Sequence, residues 1–287
     1  MGKFYFKGFM CPTFTAFDEN KQVVYDVIDE YCSYLKAKGV NGVLVNGTTG
    51  EGTCLRLDER KRLAEEWLKA CRKYGMTMMV QIGGCDILGV YELAQHAEKI
   101  GVDCVLCLPD LFFKPKIEED LVSYINGIVK YCPTRPFYYY HIPRMSGVDL
   151  NMPRFYDLIE KEVPTFCGIK YTCGDMEIGV QLIKEGRNIL LGADTILWGA
   201  FSLGFDAAIL TTLSICPEAS CGIYKHFVNN NQEEGLKAQR KLNQRIASIL
   251  AKGTGEWVEN MKNEFNNINV GFSVGPVRKP TIICRRL

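Results

Sequence analysis

The sequence predicts a (β/α)8 barrel followed by a C-terminal helical extension. Short apolar runs alternate with amphipathic helical stretches, and this unit repeats eight times without a long linker. Eight such units within about 230 residues fit a closed barrel better than a six-stranded open sheet. A doubly wound sheet would show the same alternation, and a length of 287 residues also allows two ordinary domains.

The first half of the chain supplies four of the predicted strands, which lie at 9–14, 40–45, 76–82 and 102–108. Apolar residues between these runs recur at the spacing of one helical face. They predict one helix with Val24 on its apolar face, ended by Gly39, and a second that buries Leu63 and stops at Gly75. Two further helices are expected over 87–99 and from Ile117 to about residue 131.

The second half continues the pattern, with strands predicted at 137–140, 165–169, 188–191 and 206–211. Helices are expected at 150–161, 176–185 and 195–203, and another begins near Pro217. Beyond Asn230 the pattern becomes all-helical, over 233–251 and 256–265. We therefore divide the chain into a barrel, residues 1–230, and an extension, residues 231–287, that packs on the barrel.

Composition and charge exclude several classes of function. A hydrophobic content of 47% with 23% charged residues is typical of a globular protein with a sizeable core. The formal net charge of +1 provides no basic surface for nucleic acid. The opening residues lack a signal peptide, and no apolar run reaches the length of a membrane span. We expect a cytoplasmic protein whose partner is a small molecule.

Cysteine and histidine usage argues against a metal site. The 13 cysteines are scattered, which favours reduced thiols in a cytosolic protein. Cys104 and Cys107 have CxxC spacing, but residues three apart on a strand point to opposite faces. His96, His141 and His226 lack the spacing of metal ligands. The prediction is therefore no metal and no dissociable cofactor.

Three stretches place polar side chains where predicted strands end. Lys170 follows the sixth strand, Tyr140 closes the fifth, and the turn 47–50 follows the second. In a (β/α)8 barrel the C-terminal ends of all strands meet at one rim, where functional groups lie. We therefore expect these three stretches to form a single site.

Lys170 is the candidate nucleophile. Apolar surroundings disfavour the charged form of an amine, and a neutral amine can form an imine with a ketone. The competing interpretation is a rim lysine paired with Asp or Glu, which would be preferred if the lysine stood alone.

Tyr140 is the candidate proton carrier. Alternate strand residues face opposite ways, so Tyr138 and Tyr140 share one face and Tyr139 takes the other. A phenol at the rim beside a lysine can move protons to and from a substrate hydroxyl. We interpret Tyr138 and Tyr139 as packing residues.

The turn 47–50, with the sequence Gly-Thr-Thr-Gly, is the candidate anion site. Glycines allow unusual backbone angles, which leaves N–H groups and the hydroxyls of Thr48 and Thr49 free to hold a carboxylate. The turn lacks the lysine of a P-loop and the glycine spacing of a dinucleotide fingerprint. A phosphate cradle is the lesser interpretation.

Taken together, these motifs resemble the N-acetylneuraminate lyase and dihydrodipicolinate synthase family of class I aldolases. The resemblance rests on Val45-Asn46-Gly47-Thr48-Thr49-Gly50-Glu51, on Tyr140-His141-Ile142-Pro143, and on Gly168-Ile169-Lys170 followed by Thr172. It implies a (β/α)8 barrel with a helical extension, a homotetramer, and catalysis through a lysine imine with pyruvate or a pyruvate-bearing substrate.

The resemblance also implies roles for individual residues. Lys170 matches the Schiff-base lysine and Tyr140 the catalytic tyrosine. Thr48 and Thr49 match the pair that binds the keto-acid carboxylate, with Thr48 near the tyrosine hydroxyl. The residues that match the sugar-binding positions of the lyases are Thr172, Gly192, Asp194, Thr195 and Thr211.

The branch within the family depends on a few positions. Synthases carry an arginine where this chain has Met145, and a methionine cannot replace a guanidinium fork. Lyases usually carry a glutamate where this chain has Thr195, and a serine where it has Thr211. The expected reaction is reversible cleavage of N-acetylneuraminate to N-acetylmannosamine and pyruvate. Alternatives are another 2-keto-3-deoxy sugar acid or differently acylated sialic acid, a synthase-like enzyme, or a catalytically silent keto-acid binding barrel.

Overall fold

The strands close into a parallel barrel in the order in which they occur along the chain. The computed structural model describes residues 3–253, 256–268 and 270–279. Each strand pairs in parallel with its neighbours, and the last strand pairs with the first. The strands are Gly8–Pro12 (β1), Gly42–Val45 (β2), Thr77–Gln81 (β3), Cys104–Cys107 (β4), Phe137–His141 (β5), Phe166–Tyr171 (β6), Asn188–Leu191 (β7) and Ala207–Ile209 (β8). The predicted (β/α)8 barrel is confirmed.

Helices connect the strands and surround the barrel. Short 3-10 turns follow three of the strands, at Gly52–Cys54, Asp194–Ile196 and Thr211–Ser214. The α-helices are Ile28–Ala37 (α1), Leu57–Tyr74 (α2), Ile87–Ile100 (α3), Glu118–Val129 (α4), Pro143–Ser146 (α5), Met152–Glu162 (α6), Met176–Gln181 (α7), Leu197–Ser202 (α8), Pro217–Val228 (α9), Gln232–Ala251 (α10) and Trp257–Asn267 (α11).

The core has two layers because successive strand residues point alternately into and out of the barrel. Tyr138 and Tyr140 belong to the inner layer, whereas Tyr139 packs in the layer between the strands and the helices. Cys104 and Cys107 are separated in the same way, with Cys104 inside. The face assignments made from the sequence for these five residues are confirmed.

The helical extension shares aromatic core with the barrel. Phe265 of α11 lies 5.1 Å from the ring of Tyr31 and 5.6 Å from that of Phe14, measured between centroids. The tail beyond α11 returns to the barrel, where the carbonyl of Val274 accepts a 3.1 Å hydrogen bond from Phe17 N–H. The domain division at residue 230 stays a prediction, and residues 280–287 of the predicted extension lie outside the described residues.

Several predicted boundaries were wrong. Val24 has helical spacing in the sequence, but its N–H donates to Ala16 O and α1 begins only at Ile28. The helix predicted at 176–185 ends at Gln181, where the N–H of Leu182 bonds three residues back to Gly179 and tightens the last turn. The short helix α5 was not predicted.

Two further boundary corrections concern the site. Lys170 was expected after the sixth strand, but it lies within β6. Its backbone register continues against both β5 and β7. The eighth strand was expected to reach Thr211, whereas β8 ends at Ile209 and Thr211 opens a 3-10 turn. In both cases backbone pairing, rather than side-chain polarity, determines where the strand stops.

Candidate active site

Lys170 and Tyr140 are register partners on the adjacent strands β6 and β5. Residues in register on parallel neighbours point to the same face, and Tyr140 belongs to the inner layer of the barrel. The Nζ atom of Lys170 accordingly lies 4.0 Å from the centroid of the Tyr140 ring. Backbone register alone therefore brings the predicted nucleophile and the predicted proton carrier together.

Lys170 is buried, with 4% of its surface exposed. Its Nζ forms no ion pair with any carboxylate among the residues that the structure describes. The alternative of a rim lysine paired with Asp or Glu therefore has no partner in this part of the chain. The amine faces a phenol ring in a largely enclosed position, where it is available to react.

The turn after β2 brings Thr48 to the tyrosine hydroxyl. Thr48 Oγ1 lies 3.1 Å from Tyr140 Oη, within hydrogen-bonding distance. The turn folds back on itself through a 3.1 Å bond from Gly52 N–H to Gly47 O. A Cβ at Gly52 would lie 1.9 Å from Asn46 O, so only glycine fits there. This tight fold fixes the direction in which Thr48 points.

Thr49 takes a different partner from its neighbour. Its hydroxyl oxygen lies 3.1 Å from that of Thr211, which opens the 3-10 turn after β8. Within the described residues, the backbone N–H groups of Thr48 and Thr49 donate no hydrogen bond. The turn therefore presents two N–H groups, without a partner in the described chain, next to two hydroxyls, an arrangement that suits a carboxylate.

Asp194 opens the 3-10 turn that follows β7 and is bonded to the turn that follows β8. Its Oδ1 accepts from the N–H of Thr212 at 3.0 Å and from the Thr212 hydroxyl at 2.6 Å. Burial raises the pKa of Asp194, while these hydrogen bonds and the nearby Lys170 side chain act in the opposite direction. One carboxylate oxygen is therefore engaged by the protein, and the group is held in a single orientation.

Gly192 and Thr172 end neighbouring strands and touch each other. A Cβ at Gly192 would lie 2.0 Å from Thr172 Oγ1, so the glycine is required for the close approach. Thr172 Oγ1 is buried and has no hydrogen-bond partner in the described part of the chain. A buried hydroxyl without a partner is one that a bound hydroxyl or carboxylate could satisfy.

Thr195 is the most exposed of the predicted site residues. Its carbonyl accepts a 3.0 Å bond from the Asn243 side chain, and Gln239 donates at 3.1 Å to the carbonyl of Asp194. Both carboxamides belong to α10, so the extension fixes the loop that follows β7. Thr195 is exposed, whereas the Lys170 amine is buried.

Sequence reasoning missed several residues that shape this site. Trp257 Nε1 donates to Thr211 Oγ1 at 3.2 Å, and Lys262 pairs with Glu51 at 3.0 Å. Glu51 is visible in the sequence as the residue after the Gly-Thr-Thr-Gly turn. Nothing in the local sequence of α11 indicates that its Trp and Lys reach that turn.

Metal-binding clusters and membrane-spanning helices are both absent from the described residues. Over 3–253, 256–268 and 270–279, no group of three or more His, Cys, Asp or Glu side chains could hold a metal ion. In the same ranges, no helix is both long enough and apolar enough to cross a membrane.

The fold and site define a (β/α)8 barrel with a buried amine and a phenol at its mouth. The chain belongs to the dihydrodipicolinate synthetase family, whose model matches residues 5–284. The family predicted from the sequence motifs is thereby confirmed.

Relatives and solved structures extend this likeness over nearly the whole chain. The chain is 31% identical over 279 residues to N-acetylneuraminate lyase of Mus musculus, covering 96% of this chain and 86% of the relative. It is 32% identical over 278 residues to the Xenopus tropicalis enzyme of the same name, covering 96% and 90%. The structure of Proteus mirabilis N-acetylneuraminate lyase superposes with a TM-score of 0.90 at 28% identity, covering 97% and 93%.

Proposed function

We propose that this protein is a class I aldolase that cleaves N-acetylneuraminate reversibly to N-acetylmannosamine and pyruvate. The observation that carries the proposal is the buried amine of Lys170, 4.0 Å from the centroid of the Tyr140 ring, with no carboxylate paired to it in the described chain. The names of the similar proteins from Mus musculus and Proteus mirabilis support the substrate.

In the proposed reaction, the neutral amine of Lys170 attacks the C2 ketone of the open-chain sugar acid. Tyr140 donates its hydroxyl proton to the carbinolamine oxygen, which leaves as water and gives an iminium and a phenolate. The iminium then accepts the electron pair of the C3–C4 bond as that bond breaks. The Tyr140 oxygen, hydrogen-bonded to Thr48, takes the proton of the C4 hydroxyl, and N-acetylmannosamine leaves as the aldehyde. Protonation of the enamine at C3 and hydrolysis of the imine then release pyruvate and regenerate the amine.

The keto-acid carboxylate would lie on the turn after β2. The free N–H groups of Thr48 and Thr49 offer two hydrogen bonds, and their hydroxyls lie next to them. Holding C1 there would place C2 within reach of Lys170 Nζ, which is the positioning that imine formation requires.

The sugar part would extend toward the ends of β6, β7 and β8. Thr172 offers a buried hydroxyl without a partner, and Gly192 provides the space beside it. Asp194 and Thr211 are proposed as further contacts to the sugar hydroxyls, with Thr195 at the outer edge. Because Thr195 replaces a carboxylate, a 2-keto-3-deoxy sugar acid or a differently acylated sialic acid is the alternative substrate. Met145, 65% exposed on α5, offers no carboxylate anchor for a synthase reaction.

Reductive trapping tests the mechanism directly. Incubation with pyruvate and borohydride should add one reduced pyruvate to Lys170, detected by intact mass and peptide mapping. Lys170→Ala should abolish both the adduct and sugar-acid cleavage, while Lys184→Ala, an exposed lysine on the barrel surface, should retain both. No adduct on the wild-type chain would overturn the aldolase mechanism.

The substrate assignment has its own outcome. An adduct without cleavage of N-acetylneuraminate would overturn the substrate alone, and a panel of 2-keto-3-deoxy sugar acids would then identify the correct one. Competition by phosphate without any adduct would favour a phosphate-binding barrel at the turn 47–50. We also propose a cytosolic homotetramer, which light scattering and cell fractionation would test.

A further inference from the structure

Two residues of helix α11 connect the C-terminal extension to the turn after β2. Trp257 begins the helix, and its indole N–H donates to Thr211 Oγ1 at 3.2 Å. Thr211 Oγ1 in turn lies 3.1 Å from Thr49 Oγ1. A chain of two hydrogen bonds therefore connects α11 to the second threonine of the turn.

Lys262 supplies the second connection. This lysine is fully buried, at 0% exposure, and its Nζ lies 3.0 Å from Glu51 Oε1 and 2.7 Å from Thr15 O. Glu51 is itself 3% exposed and has a left-handed backbone, with φ of 53°. A buried charge pair of this kind contributes little to stability, but removing one partner leaves an uncompensated charge.

Thr15 joins the two arrangements. Its hydroxyl donates to Gly50 O at 2.6 Å, and its carbonyl accepts the bond from Lys262. Glu51, directly after the turn, therefore bonds α11 directly. Gly50 is connected to α11 through Thr15, and Thr49 through Thr211.

The tail that follows α11 closes the arrangement. The second oxygen of Glu51 accepts from the backbone N–H groups of Arg278 and Lys279, each at 2.7 Å. The Arg278 guanidinium also bonds Glu59 in the first turn of α2. Glu51 is therefore held by the extension at both carboxylate oxygens.

We propose that Trp257 and Lys262 are positioning residues that set the affinity of the Thr48–Thr49 turn for the keto-acid carboxylate. The inference rests on the proposed function, because it assigns the turn to that carboxylate. Neither residue is placed against the substrate, so both act through Thr211, Thr15 and Glu51. A displacement of about 1 Å in a positioning group can cost a factor of about 100 in rate or affinity.

Two conservative variants separate positioning from folding. Trp257→Phe keeps an aromatic ring but removes the N–H donor, and Lys262→Met keeps the apolar stem but removes the charge. We expect each to raise the pyruvate concentration for half-maximal borohydride trapping about tenfold, the effect of losing one hydrogen bond. The trapping yield at saturating pyruvate should stay at the wild-type level, since Lys170 and Tyr140 are untouched.

The matched control is Trp198→Phe on α8. Trp198 packs edge-on against Phe227 and also lies against Gly235 of α10, a different part of the extension from α11. In this variant the pyruvate concentration for half-maximal trapping should equal that of the wild type. A double variant, Glu51→Gln with Lys262→Met, tests the route: if Lys262 acts through Glu51, the double variant should bind pyruvate no more weakly than Lys262→Met alone.

The outcomes distinguish the two proposals. Suppose that Trp257→Phe and Lys262→Met fold and form the adduct at the same half-maximal pyruvate concentration as the wild type. That result would overturn the positioning role and leave the proposed function intact. A wild-type chain without any adduct would overturn the proposed function and this inference with it. If Lys262→Met does not fold, Trp257→Phe decides the question, because its half-buried ring is replaced by another aromatic.

Discussion

The Nζ atom of Lys170 lies 4.0 Å from the centroid of the Tyr140 ring. This distance follows from strand register, since the two residues are paired across β5 and β6. The ring covers one side of the amine and excludes water from it. The phenol oxygen is then oriented by Thr48, so the amine and the proton carrier occupy fixed relative positions.

Tyr140→Phe should separate imine formation from bond cleavage. We expect the rate of sugar-acid cleavage to fall about 10²- to 10⁴-fold, because the general base is lost. The pyruvate adduct on Lys170 should still form. Tyr139→Phe is the matched control. The Tyr139 hydroxyl is buried between the strands and the surrounding helices and has no hydrogen-bond partner among the described residues. Equal losses in both variants would contradict the role of Tyr140.

Gly192→Ala should weaken binding of the sugar part. The added Cβ would meet Thr172 Oγ1 at 2.0 Å, so Thr172 or the end of β7 must move. We expect KM for the sugar acid to rise roughly tenfold, while half-saturation of trapping by pyruvate changes little. Gly199→Ala is the control, because the added methyl group would meet no atom within 4 Å and the helix tolerates alanine. An unchanged KM in Gly192→Ala would contradict the placement of the sugar beside Thr172.

Thr195→Glu should strengthen binding of N-acetylneuraminate. The substitution restores a charged acceptor at this exposed position, and the backbone there is already held by Asn243. A hydrogen bond to a charged group contributes about 1.5 kcal/mol or more, so KM should fall about tenfold. Ser202→Glu, an exposed position at the far end of α8, controls for the added charge. A higher KM in Thr195→Glu would favour a different sugar acid.

His141 should make the fold sensitive to acid. Burial lowers the pKa of His141 from 6.5 to about 4, while Asp149 acts in the opposite direction. The unfolded chain therefore binds more protons than the native chain between these two values, and stability falls as the pH drops through that window. The loss due to this group should reach about 3 kcal/mol near pH 4.

His141→Phe provides the measurement. The ring of His141 is stacked on Tyr171 at 5.3 Å between centroids, so phenylalanine can keep the contact without titrating. Denaturant unfolding at pH 7 and near pH 4.5 should show a smaller loss of unfolding free energy in the variant than in the wild type. Parallel losses in the two proteins would place the acid sensitivity on other groups.

The barrel could be predicted because it depends on local patterns. Apolar runs of strand length, helical spacing between them and glycines at helix ends all reflect backbone geometry over a few residues. The predicted face of Tyr140 was right for the same reason, since alternation along a strand needs no knowledge of the partner strand. Element boundaries were predicted less accurately. Val24 lies outside α1 because its N–H bonds to Ala16 O, and Thr211 lies outside β8 because the strand pairing ends at Ile209.

Local sequence patterns were enough to predict the fold class, the family and the candidates Lys170, Tyr140, Thr48 and Thr49. The groups that support these candidates became visible only in the folded chain. The pairs Thr49–Thr211 and Glu51–Lys262 are 162 and 211 residues apart in the chain. Contacts over such separations arise from closure of the barrel and from the return of α11 to its mouth. The physical reason is that a local pattern specifies which face a side chain occupies, whereas its partner is specified by chain segments that meet only after folding.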